Sequence, residues 1–352
     1  MRTPFLMMSS ERQRGFSLVE LMVAMTIGLI VLAGVAYLYL ESRQSFRSMD
    51  NLSRMQESAR YALEIISRDI RMAGYRGCAS SSGEFHNTLN KNGESAYNFG
   101  FPINGYDAVG AGWSPALTND TGGLGKITGP TILAGTDAII LRSAFGGGVT
   151  VTKEPGKTSA DIKVTAPNDL EPGDIVMVTN CKAASVLQIT APYGKGEENI
   201  VHNTGAGLPG NSTTDLGEKY SDSGGEIIKM QSKSYFIRTG ADGRPALWQF
   251  DNYKAAGGDN PAEIANGVEN MQILYGLDTT GDGIVENYVK ADAVANWEQV
   301  AAVRISLLVA GNDDNVTTSK QKYTYDGALV TAADQRLRQV FTTTVSVRNR
   351  TQ

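Results

Sequence analysis

The feature that most constrains this chain is an uncharged apolar run near its N-terminus, from Leu21 to Leu40. An α-helix rises about 1.5 Å per residue, so about 20 residues cover the roughly 30 Å hydrocarbon core of a bilayer. Arg2, Arg12 and Arg14 precede the run, and positive charges beside a span favour the cytoplasmic side. The sequence therefore predicts one membrane span, with residues 1–15 in the cytoplasm and the rest of the chain translocated.

The short segment between the basic flank and the apolar run is Gly15-Phe16-Ser17-Leu18-Val19-Glu20-Leu21. It resembles the class III signal of type IV prepilins and pseudopilins. The resemblance implies that a membrane peptidase cleaves after Gly15 and that the new N-terminal residue, Phe16, is methylated. In an ordinary secretory signal the cleavage site follows the apolar region, whereas here the break precedes it and the helix stays attached. The simpler alternative is a plain membrane anchor with a chance glutamate.

Glu20 is the lone carboxylate at the edge of the apolar run. A charged side chain within a membrane span costs roughly 2.5 to 3.5 kcal/mol on insertion scales, so such residues usually have a partner. The amine that cleavage would create on Phe16 lies about one helical turn away. The same two charges can pair between neighbouring helices staggered by about one turn, and we therefore predict that Glu20 sets the register of assembly.

The helix is expected to continue beyond the membrane as an amphipathic helix. Apolar residues recur at steps of three and four, with charged residues at other angles. Gly74 predicts the end of the helix, which would then run from about Ser17 to Ala73, over roughly 85 Å. Because this length far exceeds the bilayer, the second half must pack on the protein's own globular domain. The apolar positions are Leu52, Met55, Ala59, Ala62, Ile66, Ile70 and Ala73.

The remainder of the chain is predicted to be a β-rich domain preceded by loops. Residues 76–130 are rich in Gly, Ser and Asn, which is typical of loops, and we expect Trp113 within them to have no specific role. From Thr131 onward the alternating period of strands begins. The predicted strands cover residues 137–142, 161–165, 174–179, 184–190, 226–230, 233–238, 246–250, 271–275, 300–309 and 341–347.

The expected fold class is α+β. Gly, Asn and Asp turns separate the strands and no second long amphipathic helix is predicted, so a largely antiparallel sheet should pack on residues 52–73. The expected parts are a leader peptide (1–15), the transmembrane and assembly half of the helix (16–40), its amphipathic half (41–75), a Gly/Ser/Asn-rich loop region (76–130) and a β-rich globular domain (131–352).

Five further segments resemble those of a PilW-type minor pilin, namely residues 61–78, 173–181, 267–283, 300–309 and 338–350. The resemblance implies a low-abundance structural subunit near the tip of a type IV pilus that helps to initiate assembly, and thereby twitching motility, adhesion and DNA uptake. The implied partners are other minor pilins, the major pilin, the prepilin peptidase and an inner-membrane assembly platform. The implied location is the inner membrane before assembly, with the C-terminal domain in the periplasm, and the pilus on the cell surface afterwards.

Two other functions are compatible with the sequence. The chain is similar, more distantly, to J-type minor pseudopilins of type II secretion, which have the same kind of N-terminus. A tip adhesin or ligand-binding module would use the helix as a mount and the loops of residues 76–130 as its contact surface. Loss of assembly on substitution of Glu20 would favour a structural subunit, whereas loss of attachment with pili still present would favour the binding module.

Cys78 and Cys181 are the two cysteines of the sequence. Both would lie on the translocated side, where an oxidising compartment permits disulfides. A bridge that closes a loop of about 100 residues stabilises by up to roughly 4.7 kcal/mol in the chain-entropy model. We predict a structural disulfide; two free buried thiols are the alternative, and no CxxC spacing supports a redox or metal role.

Residues 278–286, Asp-Thr-Thr-Gly-Asp-Gly-Ile-Val-Glu, resemble the opening of a calcium loop, with oxygen ligands at alternate positions and a tight glycine turn. The candidate ligands are Asp278, Thr280, Asp282 and Glu286. The loop is incomplete, because its twelfth position is Val289 where a bidentate Glu is required. A hairpin turn between residues 271–275 and 287–290 is therefore favoured over a metal site.

Other chemistry has little support in the sequence. His86 and His202 fit no metal-binding spacing, so we expect solvated loop positions for both, and no GxSxG nucleophile motif is present. We therefore expect no enzyme activity and no cofactor. The net charge of -5 provides no basic field, so a direct nucleic-acid partner is not expected.

Overall fold

The computed structural model describes residues 15–77, 83–110, 112–117, 124, 133–154, 156–190, 197–205, 207–221, 224–252 and 260–347. Within these residues the chain forms one long helix, α1 (Leu18–Met72), and then strands. Two short 3-10 helices, Ala291–Ala293 and Trp297–Gln299, precede the fourteenth strand. The strands are β1 (Glu84–Asn87), β2 (Ile103–Val109), β3 (Gly112–Ser114), β4 (Asp137–Lys153), β5 (Asp161–Val164), β6 (Ile175–Thr179), β7 (Ala183–Gln188), β8 (Asn199–Val201), β9 (Glu226–Thr239), β10 (Pro245–Asp251), β11 (Ala262–Asn266), β12 (Val268–Leu277), β13 (Asn287–Val289), β14 (Val300–Ala310), β15 (Lys322–Tyr325), β16 (Ala328–Thr331) and β17 (Arg338–Ser346).

The helix α1 spans 55 residues without interruption, which corresponds to about 80 Å. This confirms the predicted continuous helix. It begins after Ser17 and ends at Met72, where Ala73 leaves the helical conformation and Gly74 has a φ of 75°. Glycine adopts a positive φ without steric cost, which explains why the helix stops here.

The second part of α1, residues 51–72, is called its buried half because one face of it lies in the domain core. Every apolar position that the periodicity predicts there is buried except Leu52, which is 37 % exposed. Asn51 is buried in its place, and its side chain bonds Asp313 twice: Nδ2 donates to Oδ2, and Oδ1 accepts the Asp313 N–H, both at 3.1 Å. A polar contact therefore sets where the buried face begins, and hydrophobic periodicity does not detect it.

Two β-sheets flank the buried half of α1. The larger has 11 strands; its main path is β1-β7-β6-β9-β4-β2-β3, with β10 and β11 attached to β9, and β5 and β8 attached to β4. The smaller has the order β13-β12-β14-β17, and β15 and β16 form a separate hairpin. The described strand pairs are antiparallel apart from β1 with β7. The predicted α+β class with a largely antiparallel sheet is confirmed.

The main hydrophobic core joins α1 to both sheets. The buried half of α1 meets Ile139 and Tyr235 from the larger sheet, and Ile273 and Leu307 from the smaller one. Burial of apolar surface contributes about 25 cal/mol per Å², so this seam is what holds the helix to the domain. A second core, formed by β4 to β9 beyond the helix, contains no residue of α1 among those described.

Two central strands are longer than the sequence predicts. Residues 226–230 and 233–238, predicted as separate strands, form the single strand β9, and β4 continues past residue 142 to Lys153. Their pairing shifts register between Phe145 and Val149, across three consecutive glycines, and glycine is typical of such bulges. The strand β9 pairs with β6 through its first part and with β10 through its second. Together β4 and β9 connect the half of the sheet that packs on α1 to the half that extends past it.

The prediction of loops throughout residues 76–130 was wrong for three segments. The strands β1, β2 and β3 lie in this interval, and β2 pairs with β4 inside the larger sheet. Ile103 of β2 is 1 % exposed in the main core, and Trp113 of β3, 8 % exposed, packs in a separate cluster. Gly105 has no room for a Cβ because the Tyr275 hydroxyl lies directly against it. A glycine that composition assigns to a loop is thus required by close packing in a strand.

A pair of carboxylates lies at the junction of the two sheets. Asp107 of β2 faces Asp137 of β4 in register, and their side chains share a hydrogen bond. Asp137 Oδ2 also accepts the N–H of Ile273 in β12 at 2.6 Å. Burial raises the pKa of Asp137 to about 8, and the charge of Asp107 adds to the increase. Asp137 therefore connects the two sheets as a neutral acid at neutral pH.

We predict that Asp137 makes the free energy of unfolding fall as the pH rises from about 5 to about 8. The folded chain holds this proton up to a pKa of about 8, whereas an unfolded Asp releases it near a pKa of about 3.9. The folded state thus binds more protons in this window, and stability decreases with pH. Denaturant titrations of the full chain in detergent micelles at several pH values measure the slope.

Asp137→Asn is expected to flatten that slope. The matched control is Asp282→Asn, in an exposed loop, which should leave it unchanged. An equally steep slope in Asp137→Asn would contradict the assignment.

Candidate assembly interface

Two reciprocal hydrogen bonds close the N-terminal end of α1. Ser17 precedes the helix in an extended conformation, and its Oγ accepts the N–H of Glu20 at 3.2 Å. The Oε2 atom of Glu20 accepts the N–H of Ser17 at 3.1 Å. This capping box satisfies two N–H groups that the helix itself leaves without a partner. Such pairing matters most next to a membrane, because hydrocarbon offers no alternative partner.

The capping box places the Glu20 carboxylate beside the backbone that follows Phe16. The Ser17 N–H that it accepts is one residue from the Phe16 nitrogen, and Phe16 is 89 % exposed. The sequence interpretation did not use the Ser-x-x-Glu spacing, which is the signature of a capping box and places Glu20 in the first turn. Cleavage after Gly15, methylation of Phe16 and the register role of Glu20 stay predictions.

The first part of α1, residues 18–40, is called its apolar half. Its large apolar side chains are 51–74 % exposed on all sides of the helix. The most apolar window of 18 residues has a mean hydropathy of 2.4, and none of it is buried within the protein. Soluble proteins rarely expose an apolar surface of this extent to water. By length and composition the apolar half can span a membrane, as the sequence predicts.

Polar contacts fix α1 to the domain at both ends of its buried half. Near the membrane side, Asn51 bonds Asp313 as described above. At the far end Asp69, 7 % exposed, accepts Lys233 Nζ at 3.1 Å and the Tyr235 hydroxyl at 2.5 Å. Removing one partner of a buried charged pair is strongly destabilising. The helix therefore cannot slide or rotate in the domain without losing these bonds, and the apolar half projects in a fixed direction.

One predicted disulfide cysteine can be located. Cys181 lies in the exposed turn between β6 and β7, whereas Cys78 lies outside the described residues. The chain leading to Cys78 is nevertheless close by, because Thr179 Oγ1 donates to Arg76 O at 2.9 Å. Arg76 and Thr179 each precede a cysteine by two residues. This proximity supports the Cys78–Cys181 disulfide, which stays a prediction.

The predicted calcium ligands, Asp278, Thr280, Asp282 and Glu286, lie in the loop between β12 and β13. One oxygen from each of the three carboxylates lies within 4.8 Å of the others. The strands β12 and β13 pair antiparallel, Tyr275 with Val289. This confirms the hairpin that the sequence favoured.

The loop's own groups already bond these carboxylates. Asp278 Oδ1 accepts the N–H of Gly281 at 2.6 Å, and Oδ2 accepts that of Gly283 at 2.8 Å. Hydrogen bonds from the Thr279 N–H and the Thr280 hydroxyl hold the pKa of Glu286 below its usual value. These hydrogen bonds stabilise the loop of the hairpin, and calcium binding stays a prediction.

The two histidines occupy different environments. His86 lies in the strand β1 and not in the expected loop; its side chain is 39 % exposed, with Nε2 at 3.6 Å from Glu84 Oε2. His202 is 0 % exposed, so the expectation of a solvated loop position was wrong for this residue. Burial lowers the pKa of His202, and its Nε2 lies 3.4 Å from Thr214 O. His202 is a neutral core residue.

Two family models match the two ends of the chain. Residues 234–349 match the model of a family described as type IV pilus-assembly protein W. Residues 11–36 match the prokaryotic N-terminal methylation motif. A stretch of 65 residues, 18 % of the chain, is 38 % identical to the pilin-like protein PilA3 of Thermus thermophilus and spans 28 % of that relative's length. No solved structure matches the chain.

We predict that Cys78 and Cys181 form one covalent link in the mature protein. Peptide mapping without reductant should yield the two cysteine peptides joined, and reductant should separate them. Cys78→Ser and Cys181→Ser should each lower stability by about 2–4 kcal/mol, and the double variant by no more than either single one. Additive losses, or separate peptides without reductant, would refute the bond.

Proposed function

We propose that this chain, which matches the type IV pilus-assembly protein W family over residues 234–349, is a PilW-type minor pilin: a low-abundance structural subunit that helps to initiate type IV pilus assembly near the tip. The observation that carries the proposal is the division of α1. Its apolar half is exposed on all sides, and its buried half is locked into the domain. One rigid element thus joins a membrane-embedded part to a folded part. The proposal includes no enzymatic step and no cofactor.

In this proposal the chain begins in the inner membrane, with residues 1–15 in the cytoplasm and the β-rich domain in the periplasm. The prepilin peptidase removes the leader after Gly15, and Phe16 is methylated. Because the break precedes the apolar half, the processed protein stays anchored. An inner-membrane assembly platform then transfers it into a fibre with other minor pilins and the major pilin.

The physical problem in this transfer is that lipid and helix side chains are equally apolar. Helices in a bilayer gain no hydrophobic driving force from packing on one another, so the apolar surface of α1 alone does not set a register. A carboxylate in an apolar environment is costly until it has a partner. Glu20 lies in the first turn of α1. Pairing of its carboxylate with the new amine on Phe16 of a neighbouring subunit would favour one stagger between the two helices.

We predict that the charge of Glu20, and not its capping role, drives incorporation into pili. Glu20→Gln keeps a side chain that can complete the capping box but removes the charge, whereas Ser17→Ala removes the cap and keeps the charge. Both Glu20→Gln and Glu20→Ala should lower the ratio of protein in sheared pili to protein in membranes by at least about tenfold, the factor that corresponds to about 1.4 kcal/mol. Quantitative immunoblots of the two fractions measure this ratio.

Ser17→Ala is the matched control, and it should change the same ratio by less than about fivefold, since a lost cap costs about 1 kcal/mol at most sites. All variants should remain in the membrane fraction. Wild-type incorporation of Glu20→Gln would defeat the charge-pairing mechanism. If the unaltered protein is absent from pili and cells that lack it are defective in protein secretion, the pseudopilin alternative is favoured instead.

We also predict that the mature protein begins at Phe16 carrying one added methyl group. Mass spectrometry of the N-terminal peptide from purified pili tests this. Gly15→Leu should leave the leader attached, while Gly28→Leu, at an open position within the apolar half, should be processed normally. A mature protein that still begins at Met1 in cells with working pili is incompatible with the proposal.

A further inference from the structure

The strand β17 forms an open edge of the smaller sheet. In the described part of the chain it pairs with β14 and with no strand on its other side. Leu337 O accepts the N–H of Gly311, and Val347 N donates to Ala301 O, both at 2.8 Å. Because backbone groups alternate in direction along a strand, the odd-numbered residues of β17 face β14 and the even-numbered residues face outwards.

Most of these outward groups are open. Arg338 is satisfied, since Gln321 Oε1 accepts its N–H and Gln321 Nε2 donates to its carbonyl, both at 2.8 Å. From residue 340 onward no described residue bonds the outward N–H and C=O groups, and Thr342, Thr344 and Ser346 are exposed. At about 3.3 Å per residue the open edge is roughly 20 Å long.

The edge lacks the features that normally prevent strand addition. Edge strands are usually short or interrupted by charge, proline or a bulge. Residues 339–346 contain no charge and no proline, and β17 pairs with β14 over nine residues without a register shift. The other described edge strands, β1, β3, β8, β11 and β13, have three to five residues. An open, unprotected edge is what β-strand addition uses.

The strand β17 runs alongside α1 in the same direction. At its start, Gly311, the partner of Leu337, lies so close to Asn51 of α1 that a Cβ there would clash with the asparagine side chain. At its end, Val347 bonds Ala301, three residues after Glu298, whose charge acts on Arg76 just beyond the end of α1. An added strand would therefore run along α1, beginning beside the start of β17, which is the end of that strand nearest the membrane.

This direction excludes a closed pair of two β17 edges in one membrane. Antiparallel pairing would point the two α1 helices in opposite directions. In parallel pairing, a residue that faces the partner strand lies opposite one that faces away, so two identical strands cannot meet in register about a two-fold axis. A closed two-fold pair of β17 edges is therefore excluded, and the occupant is a strand that meets β17 in another register.

We propose that the outward edge of β17 accepts an extended, uncharged strand from a second pilin-class subunit. The inference rests on the proposed function, because a partner whose own helix packs beside the apolar half of α1 is held at the level where β17 starts. Backbone hydrogen bonds supply the contact, up to two for each outward residue. The hydroxyls of Thr342 and Thr344 already bond Ser306 and Arg304 of β14, so they stiffen the edge and leave its backbone to the partner.

The first test removes a single outward donor. Thr344→Pro deletes the N–H that faces the partner and leaves the bonds to β14, while Thr344→Gly, the matched control, loses the side chain and keeps the N–H. In the full chain, Thr344→Pro should lower the ratio of pilus to membrane protein about tenfold relative to Thr344→Gly. If Thr344→Pro fails to fold, as judged by its melting curve, Thr342→Lys with Thr344→Lys replaces it, since charge on an edge opposes strand addition.

The second test reads the backbone directly by hydrogen exchange of the tagged full chain, as detergent-solubilised single subunits and as assemblies extracted from pili. The amides of residues 342, 344 and 346 should be protected only in assemblies, and those of 341, 343 and 345 in both states. Incorporation of Thr344→Pro equal to that of Thr344→Gly, or outward amides that exchange equally in both states, would overturn the strand addition. If the unaltered protein is absent from pili, the proposed function itself has failed.

Discussion

The structure depends on burying one face of the second half of α1 between two β-sheets. A helix of about 80 Å cannot be stabilised by its own hydrogen bonds alone, because most helical stability in proteins comes from packing of an amphipathic face. The stripe from Met55 to Ala73 supplies that face, and Ile139, Tyr235, Ile273 and Leu307 cover it from both sides. This packing fixes the position of the domain along α1. It involves only the buried half, so the domain does not cover the apolar half.

Buried polar groups then determine the details that apolar packing leaves open. The Arg142 guanidinium, 1 % exposed, donates from Nη1 to Phe101 O at 2.6 Å and to Asn104 Oδ1 at 2.8 Å, and so holds Phe101 and the start of β2 against β4. Glu269 Oε2 accepts Arg338 Nε at 2.6 Å, which anchors the first residue of β17 to β12. Groups this deeply buried cost free energy unless they are paired. Their pairing defines where the loops end and where the open edge of β17 begins.

The sequence predicts the parts of the fold that depend on periodicity. The continuous helix, the strand around Val303 to Val309 and the hairpin before Val289 are confirmed. The parts that it misses depend on contacts between distant residues. Asn51 is buried in place of Leu52 because its side chain bonds Asp313. Trp113 is buried because strands from elsewhere in the chain pack on it. At the N-terminus, the Ser17–Glu20 capping box is readable from spacing alone, whereas the open edge of β17 follows only from strand order.

The two surfaces that α1 and β17 leave for neighbours differ in symmetry. The apolar half of α1 is exposed on all sides, so it can contact several helices at once. The same kind of contact can recur from subunit to subunit. The edge of β17 is one-sided, and two copies cannot pair through it in register about a two-fold axis. A subunit with both surfaces can therefore join a growing helical bundle through α1 while engaging one specific partner through β17. If β17 accepts a partner strand as proposed, it does so for one neighbour at a time, whereas the apolar half of α1 can contact several.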